Sequence, residues 1–265
     1  MISIVCVYNN LEVLNERLLP SLQRQTEEFE LILLDNTSSK YHSAASALNQ
    51  GGSEAKGRYI LFIHQDMVLT SERWLEEAEA LLEGLPLLGA AGLAGIRDKK
   101  RVYSNIDHGL ERKPVGNMKL TEPLTMQTLD ECAVFVPRDV FHKNRFDEQN
   151  MVGWHLYAVD YCLDVIKSGL KVYVLPLHAW HCSDGASMSL DYFSLLRRLW
   201  RKHGSDNKTI HTTMGIWKRS FPTMVYECIC LFSLTKKGIN EQGFKNYKDK
   251  ALSDLRTCLG HLIIR

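Results

Sequence analysis

The stretch Gly57 to Leu69, GRYILFIHQDMVL, constrains this chain most, because the apolar run Tyr59 to Ile63 breaks abruptly into His64, Gln65 and Asp66. Five apolar residues rich in β-branched and aromatic side chains, bounded by Gly57, predict a buried strand. Asp66 at its tip predicts a ligand site, since open α/β sheets bind ligands at the carboxyl ends of their strands. Two earlier runs repeat the pattern: Ile2 to Tyr8 ends on Asn9-Asn10, and Phe29 to Leu34 ends on Asp35-Asn36. Between them Leu11, Leu14, Leu18, Leu19 and Leu22 recur at helical spacing, with Pro20 placed to kink or divide the helix. Strand, helix, strand at such short spacing predicts a right-handed βαβ unit with parallel strands.

Further along, Tyr41 to Lys56 is helix-like, and Ser71 is placed to cap a helix over Glu72 to Leu82. The run Leu87 to Ile96 predicts a fourth strand. Its glycines do not form GxGxxG and precede a charged loop, which argues against a dinucleotide fingerprint. Asp98 to Thr128 is polar, irregular and too long for an idle connection, so it reads as a lid or acceptor loop. Cys132 to Val136 and Lys171 to Leu175 predict strands on either side of a helix over Tyr157 to Ser168, which Gly169 ends. From about Leu190 the pattern turns to helices with basic residues. The expected organisation is therefore a domain over residues 1–190 and a C-terminal helical extension over 191–265, packed on the same core.

With 45% hydrophobic residues in 265, the chain can bury a large core. A formal charge of +1 provides no field to gather nucleic acid. Seven cysteines without a CxxC pair suggest a reducing compartment. The N-terminus enters a strand at once, without a leader pattern, and no apolar run approaches a membrane span. These features point to a soluble cytoplasmic protein.

The ordered set of motifs resembles the family 2 nucleotide-sugar glycosyltransferases of the GT-A fold. The carrying stretches are Ser3-Ile4-Val5 ending in Tyr8-Asn9, Ser21 to Thr26 running into Glu30 to Asn36, and Asn49-Gln50-Gly51 leading through Ala55 and Gly57 to Asp66. HQD, the Gly-Leu-Ala-Gly run, Leu129-Asp130-Glu131 and Trp154-His155-Leu156-Tyr157 with Asp160 are similar to a StrF-like branch. The resemblance covers about residues 2–190. It implies a Rossmann-like, mixed and mainly parallel sheet flanked by helices, with a nucleoside-diphosphate sugar lying across the strand tips.

The same resemblance implies roles. Asp35 matches the acidic residue that contacts the nucleoside, with Val7, Tyr8 and Asn9 beside the base and Lys56 and Gln65 completing the donor contacts. Asp66 matches the last carboxylate of the DxD signature, holding Mn²⁺ or Mg²⁺ on the diphosphate, and His181 matches a histidine completing that site; His178 competes with it. Asp160 matches the general base of an inverting transfer. His64 stands where the first acid of DxD belongs, which weakens the expected metal site. For the acceptor, Asp130 or Glu131 lines the site or is merely solvated, and Trp154 and His155 stack on a sugar or pack inside.

The implied acceptor is a saccharide, protein-linked or lipid-linked hydroxyl, in surface polysaccharide or glycoconjugate synthesis. The basic cluster Arg197 to His203 is either a solvated helix face or a peripheral contact with the inner face of the membrane. Two rival readings stand beside the transferase. One is a catalytically silent nucleotide-sugar-binding module, suggested by His64. The other is a nucleotidyltransferase, for which Val7 to Leu11 lacks the Gly- and basic-rich phosphate loop.

Overall fold

The computed structural model describes residues 1–98, 101–183 and 191–218. The first half comprises β1 (Ile2–Tyr8), α1 (Leu11–Glu16), α2 (Leu18–Gln23), β2 (Phe29–Asp35), α3 (Ala44–Glu54), β3 (Tyr59–Ile63), β4 (Met67–Leu69) and α4 (Trp74–Glu83). A run of short strands follows: β5 (Leu88–Gly92), β6 (Ala94–Ile96), β7 (Val102–Ser104), β8 (Ile106–His108), β9 (Lys113–Pro114), β10 (Leu124–Met126) and β11 (Thr128–Leu129). Next come β12 (Ala133–Pro137), α5 (Arg138–Lys143), α6 (Tyr157–Lys167), β13 (Lys171–Val174) and β14 (Ala179–His181). Last are α7 (Asp191–His203), β15 (Thr209–Thr212) and β16 (Gly215–Lys218).

Seven strands form the main sheet in the order β10-β13-β5-β12-β3-β1-β2. β1 pairs in parallel with both β2 and β3, and β13 pairs in parallel with β5. β12 runs antiparallel between β3 and β5. That insertion matters for the site, because the chain entering β12 meets the chain leaving β3: Ala133 faces Ile63, and the His64 N–H donates to the Cys132 carbonyl at 2.9 Å.

Alternation along the central strands supplies two apolar faces. Ile2, Ile4 and Cys6 of β1 and Leu61 and Ile63 of β3 join Leu14, Leu18, Leu22, Trp74 and Leu75 in one buried cluster. Val5 faces the other way, onto α3, where a Cβ added to Gly51 would lie 2.5 Å from Val5 Cγ1. Gly51 thus allows a close helix-to-sheet approach. The helix expected over Leu11 to Gln25 is divided at Arg17, and Pro20 falls in the first turn of α2, where its missing N–H leaves no bond unmade.

Several boundaries differ from expectation. The run Leu87 to Ile96 splits into β5 and β6, which belong to different sheets, because Leu93 turns the chain between them. Asp98 to Thr128 is largely ordered: β7 pairs with β6, and β8 and β9 join β14 and β4 in a four-stranded sheet. The helix expected from Glu72 begins at Trp74, with Ser71 Oγ accepting from the Arg73 N–H just before it. Residues Met1–Trp217, which include α7 and β15, form one compact unit. The helical extension expected past Lys218 lies outside the described residues. No helix among the described residues is long and apolar enough to cross a membrane.

Candidate active site

The tips of β1 and β3 are tied together. Gln65 Oε1 accepts from the Asn9 and Asn10 N–H groups at 3.1 and 3.0 Å, and its Nε2 donates to Asn9 Oδ1 at 2.6 Å. Asn10 Oδ1 in turn caps α1 by accepting from the Glu12 and Val13 N–H groups. Gln65 therefore shapes the turn that carries Asp66.

β14 brings a distant residue to that turn. It pairs antiparallel with β4, placing His181 opposite Met67, and the Cys182 N–H donates to the Asp66 carbonyl at 2.9 Å. His181 Nε2 consequently lies 3.3 Å from Asp66 Oδ1. One ligand atom each from His64, Asp66 and His181 fall within 4.8 Å of one another. His178 is engaged elsewhere, on Asp107 and Thr70, which resolves its competition with His181.

The Tyr157 hydroxyl lies 3.2 Å from both the Glu131 carbonyl and His64 Nε2; with its proton on the carbonyl, His64 Nε2 is the donor in the second contact. The lone pair on Nδ1 of the neutral ring is then available as a ligand. Burial, reinforced by His181, holds His64 below the ordinary imidazole value. Burial also works against charge on Asp66 and His181, but their mutual attraction outweighs it, lowering the carboxyl and raising the imidazole.

His181 Nε2 is buried and makes no well-aligned hydrogen bond despite its approach to Asp66. An orphaned imidazole nitrogen beside a carboxylate and a neutral imidazole is a donor set that fits a divalent cation. The substitution of His64 for an acid thus exchanges one ligand type for another. A second acid and histidine group, Asp160, Asp164 and His203, also meets within 4.8 Å. The Lys202 ammonium already fills it, 2.8 Å from Asp160 Oδ2 and 2.6 Å from Asp164 Oδ2.

Three cavities converge on the strand tips. The largest, about 640 Å³, is bordered by Val7, Asn9, Arg17, His64, Asp66 and Trp154 among others. A smaller polar cleft continues from it over Val7, Tyr8, Asn36, Thr37, Tyr41 and Trp154. On the other side lies a cavity of about 470 Å³ walled by apolar residues of β6 to β8 and β11, with Asp130 at one end. The first and third share His64, Glu131, His155, His181 and Ser183.

The expected residues distribute unevenly over this frame. Val7, Tyr8 and Asn9 border the polar cleft, whereas the exposed Asp35 accepts from the N–H and hydroxyl of Thr37 and closes an Asx turn beside it. Lys56 precedes β3 and lies at the opposite end of the parallel strands from the tips, with its side chain 81% exposed near Glu30. Trp154 lines the largest cavity and the polar cleft but not the third cavity, while His155 lines the first and third.

Asp160 opens α6, is 1% exposed, accepts from Lys202 and His203 of α7, and borders none of these cavities. Lys202 and His203 are for the same reason removed from the basic face proposed for a membrane. Arg17 was not anticipated. It lines the cavity beside Asp66 and lies over the Trp180 ring, 5.5 Å from its centroid, while Arg112 lies 3.8 Å from the same centroid. Its position at the end of a short amphipathic helix gave no signal.

A mixed sheet with helices on both faces and a ligand cleft across its strand tips is the GT-A arrangement, and the solved structures with the same fold are glycosyltransferases. GalNAc-T7 with UDP, GalNAc and Mn²⁺ aligns over 76% of this chain at 12% identity and TM-score 0.57, and the chain spans only 47% of it. S. aureus TarS 1–349 with UDP-GlcNAc gives 14% identity and TM-score 0.54 over 76% of this chain and 66% of that one. The mannosyltransferase PcManGT from Pyrobaculum calidifontis, with GDP-Man and Mn²⁺, gives 12% identity and TM-score 0.53 over 99% and 80%. In sequence, a protein of Fuscovulum blasticum called "ATP synthase subunits region ORF 6" is 29% identical over 192 residues, 69% of this chain and 75% of its own length. Residues 3–198 match the model described as "Glycosyltransferase like family", and the chain belongs to that family.

Proposed function

We propose that the protein transfers a sugar from a nucleoside-diphosphate sugar to an acceptor hydroxyl in a single inverting displacement. The observation that carries this is the position of the His64, Asp66 and His181 donor set at the junction of two cavities. On one side the polar cleft over Tyr8, Asn36, Tyr41 and Trp154 takes the nucleoside. At the junction His64, Asp66 and His181 would hold a divalent cation, which would supply charge neutralisation for the diphosphate leaving group. Arg17, beside Asp66, adds a fixed positive charge on the same side. The acceptor enters from the cavity beyond Glu131 and Asp130, opposite the leaving group, and such an in-line approach inverts the anomeric centre. GalNAc-T7, TarS and PcManGT, with their nucleotides or nucleotide sugars, support the donor class.

The neutral His64 ring with an available lone pair favours the active enzyme over a silent module. Within the family we keep the StrF-like branch, on the HQD and Leu-Asp-Glu stretches, with a saccharide or a protein- or lipid-linked acceptor. We place the reaction in the cytoplasm, supported by the unpaired Cys6, Cys132, Cys162 and Cys182. The test is thermal unfolding of the full chain with a panel of UDP, GDP and dTDP sugars, with and without Mn²⁺. A rise in Tm with one nucleotide class, larger with Mn²⁺, is expected. No rise with any member of the panel refutes the donor site.

A further inference from the structure

Inverting transfer needs a group that removes the proton of the acceptor hydroxyl, and Asp160 is sealed against Lys202 and His203. The chain entering β12 supplies another carboxylate. Because β12 runs antiparallel to β3, Glu131 falls beside the His64 to Asp66 turn, and it borders both the donor and the acceptor cavity. Its backbone is fixed by the Tyr157 hydroxyl, which donates to its carbonyl. The backbone N–H groups of Ala158, Tyr157 and Leu156 at the start of α6 favour the charged carboxylate, against its burial. Yet Glu131 Oε1 is sheltered from solvent and has no hydrogen-bond partner in the protein.

The neighbouring Asp130 is the opposite case. Its Oδ1 accepts from the Cys132 N–H at 3.1 Å and its Oδ2 from the Thr213 hydroxyl at 2.9 Å. Adjacent carboxylates in such different surroundings divide their roles. Burial opposes the Asp130 charge, but His181 and these bonds outweigh it and hold its carboxyl low. Burial and the Asp130 charge push the Glu131 carboxyl well above the usual range. Asp130 is satisfied by the protein; Glu131 is left with one oxygen that no protein group satisfies.

We propose that Glu131, from the turn before β12, is the general base, with Oε1 accepting the proton of the acceptor hydroxyl. This rests on the transferase reading above. As the acceptor oxygen forms its bond to the anomeric carbon, its proton passes to Glu131. The bond from the anomeric carbon to the diphosphate oxygen breaks, and its electron pair leaves on the nucleoside diphosphate. Glu131 then returns the proton to water.

The test compares wild-type full chain with Glu131→Gln and Glu131→Ala, using UDP-, GDP- and dTDP-hexoses with Mn²⁺ and water as the acceptor, so that donor hydrolysis is the readout. Glu131→Gln exchanges one carboxylate oxygen for an NH₂ of the same size and is expected to keep the wild-type Tm and the donor-induced rise in Tm. Its hydrolysis rate is expected to fall about 100- to 10,000-fold. Added formate is expected to restore part of the rate of Glu131→Ala, which a merely structural role would not allow. A folded Glu131→Gln that turns over within about threefold of wild type, or one that loses donor binding, overturns the assignment while leaving the transferase reading intact. Wild-type protein that binds donor without hydrolysis or transfer overturns the transferase reading, and the base with it.

Discussion

Replacing Asp160 by Asn separates a structural carboxylate from a catalytic one. In the native protein Asp160 Oδ2 lies 2.8 Å from Lys202 Nζ and Oδ1 lies 2.8 Å from His203 Nε2, with the side chain 1% exposed. Lys202 also reaches Asp164 at 2.6 Å and Asp147 at 2.9 Å, so one ammonium joins α6, α7 and the loop before α6. Burial opposes its charge, but the three carboxylates outweigh burial and lift Lys202 above the usual lysine value. The Asn amide keeps the shape but offers one acceptor oxygen and turns its NH₂ toward a second donor. Hydrogen bonds to charged groups contribute about 1.5 to 3 kcal/mol each. Losing one and weakening the other should therefore cost about 3 kcal/mol, and at roughly 2 to 4 °C per kcal/mol for a domain of this size the Tm should fall by about 6 to 12 °C. Scanning calorimetry of the unliganded protein measures this, and turnover per folded molecule should be unchanged at a temperature below both transitions. A Tm within about 2 °C of wild type, with turnover reduced 100-fold or more, would refute the reasoning and return Asp160 to the acceptor hydroxyl.

Further outcomes are expected at the cation site and at Asp147. Asp66→Ala or His181→Ala should abolish the Mn²⁺-dependent rise in Tm, and Tyr157→Phe, which frees the His64 tautomer, should weaken Mn²⁺ binding by about 10- to 100-fold as read by electron paramagnetic resonance of bound Mn²⁺. Two imidazoles in the set should also make Mn²⁺ bind more tightly than Mg²⁺. The Asp147 carboxyl is lowered to about 2: burial opposes its charge, and Asn150 and Lys202 outweigh it. A depressed carboxyl stabilises the fold fully above the ordinary value of 3.8 and loses that contribution as pH falls through about 2. Stability should therefore decline across that window, and in Lys202→Met the Asp147 titration followed by NMR should move up toward the ordinary range; an unmoved titration would remove Lys202 as a cause.

The local part of this protein is written in the chain. Apolar runs at Ile2, Phe29 and Tyr59, helical spacing between them and polar residues after them sufficed for a parallel βαβ core with Asp66 at a strand tip. These features follow from interactions over a few residues, and the side-chain period of a strand or helix reports them directly. What the tips hold was less legible. His181 reaches Asp66 across more than a hundred residues only because β14 pairs with β4, and no local pattern specifies that pairing. Lys56 and Gln65 illustrate the same limit, one at the opposite end of the strands from the tips and the other hydrogen-bonded within the β1 turn.

The carboxylates of Asp160 and Glu131 mark the division most clearly. Asp160 and Asp164 stand one helical turn apart, so the sequence itself places them on one face of α6. Which way that face turns was decided by α7, whose Lys202 and His203 close over it. Glu131 was visible only as one of two acids before a strand, and the antiparallel insertion of β12 set it beside His64 and left its oxygen unpartnered. Sequence alone determined the strands, the helices and the chemistry available at their ends. Tertiary structure decided which carboxylates are neutralised by a buried cation and which face the cavity, because a charge inside a protein is defined by what packs against it.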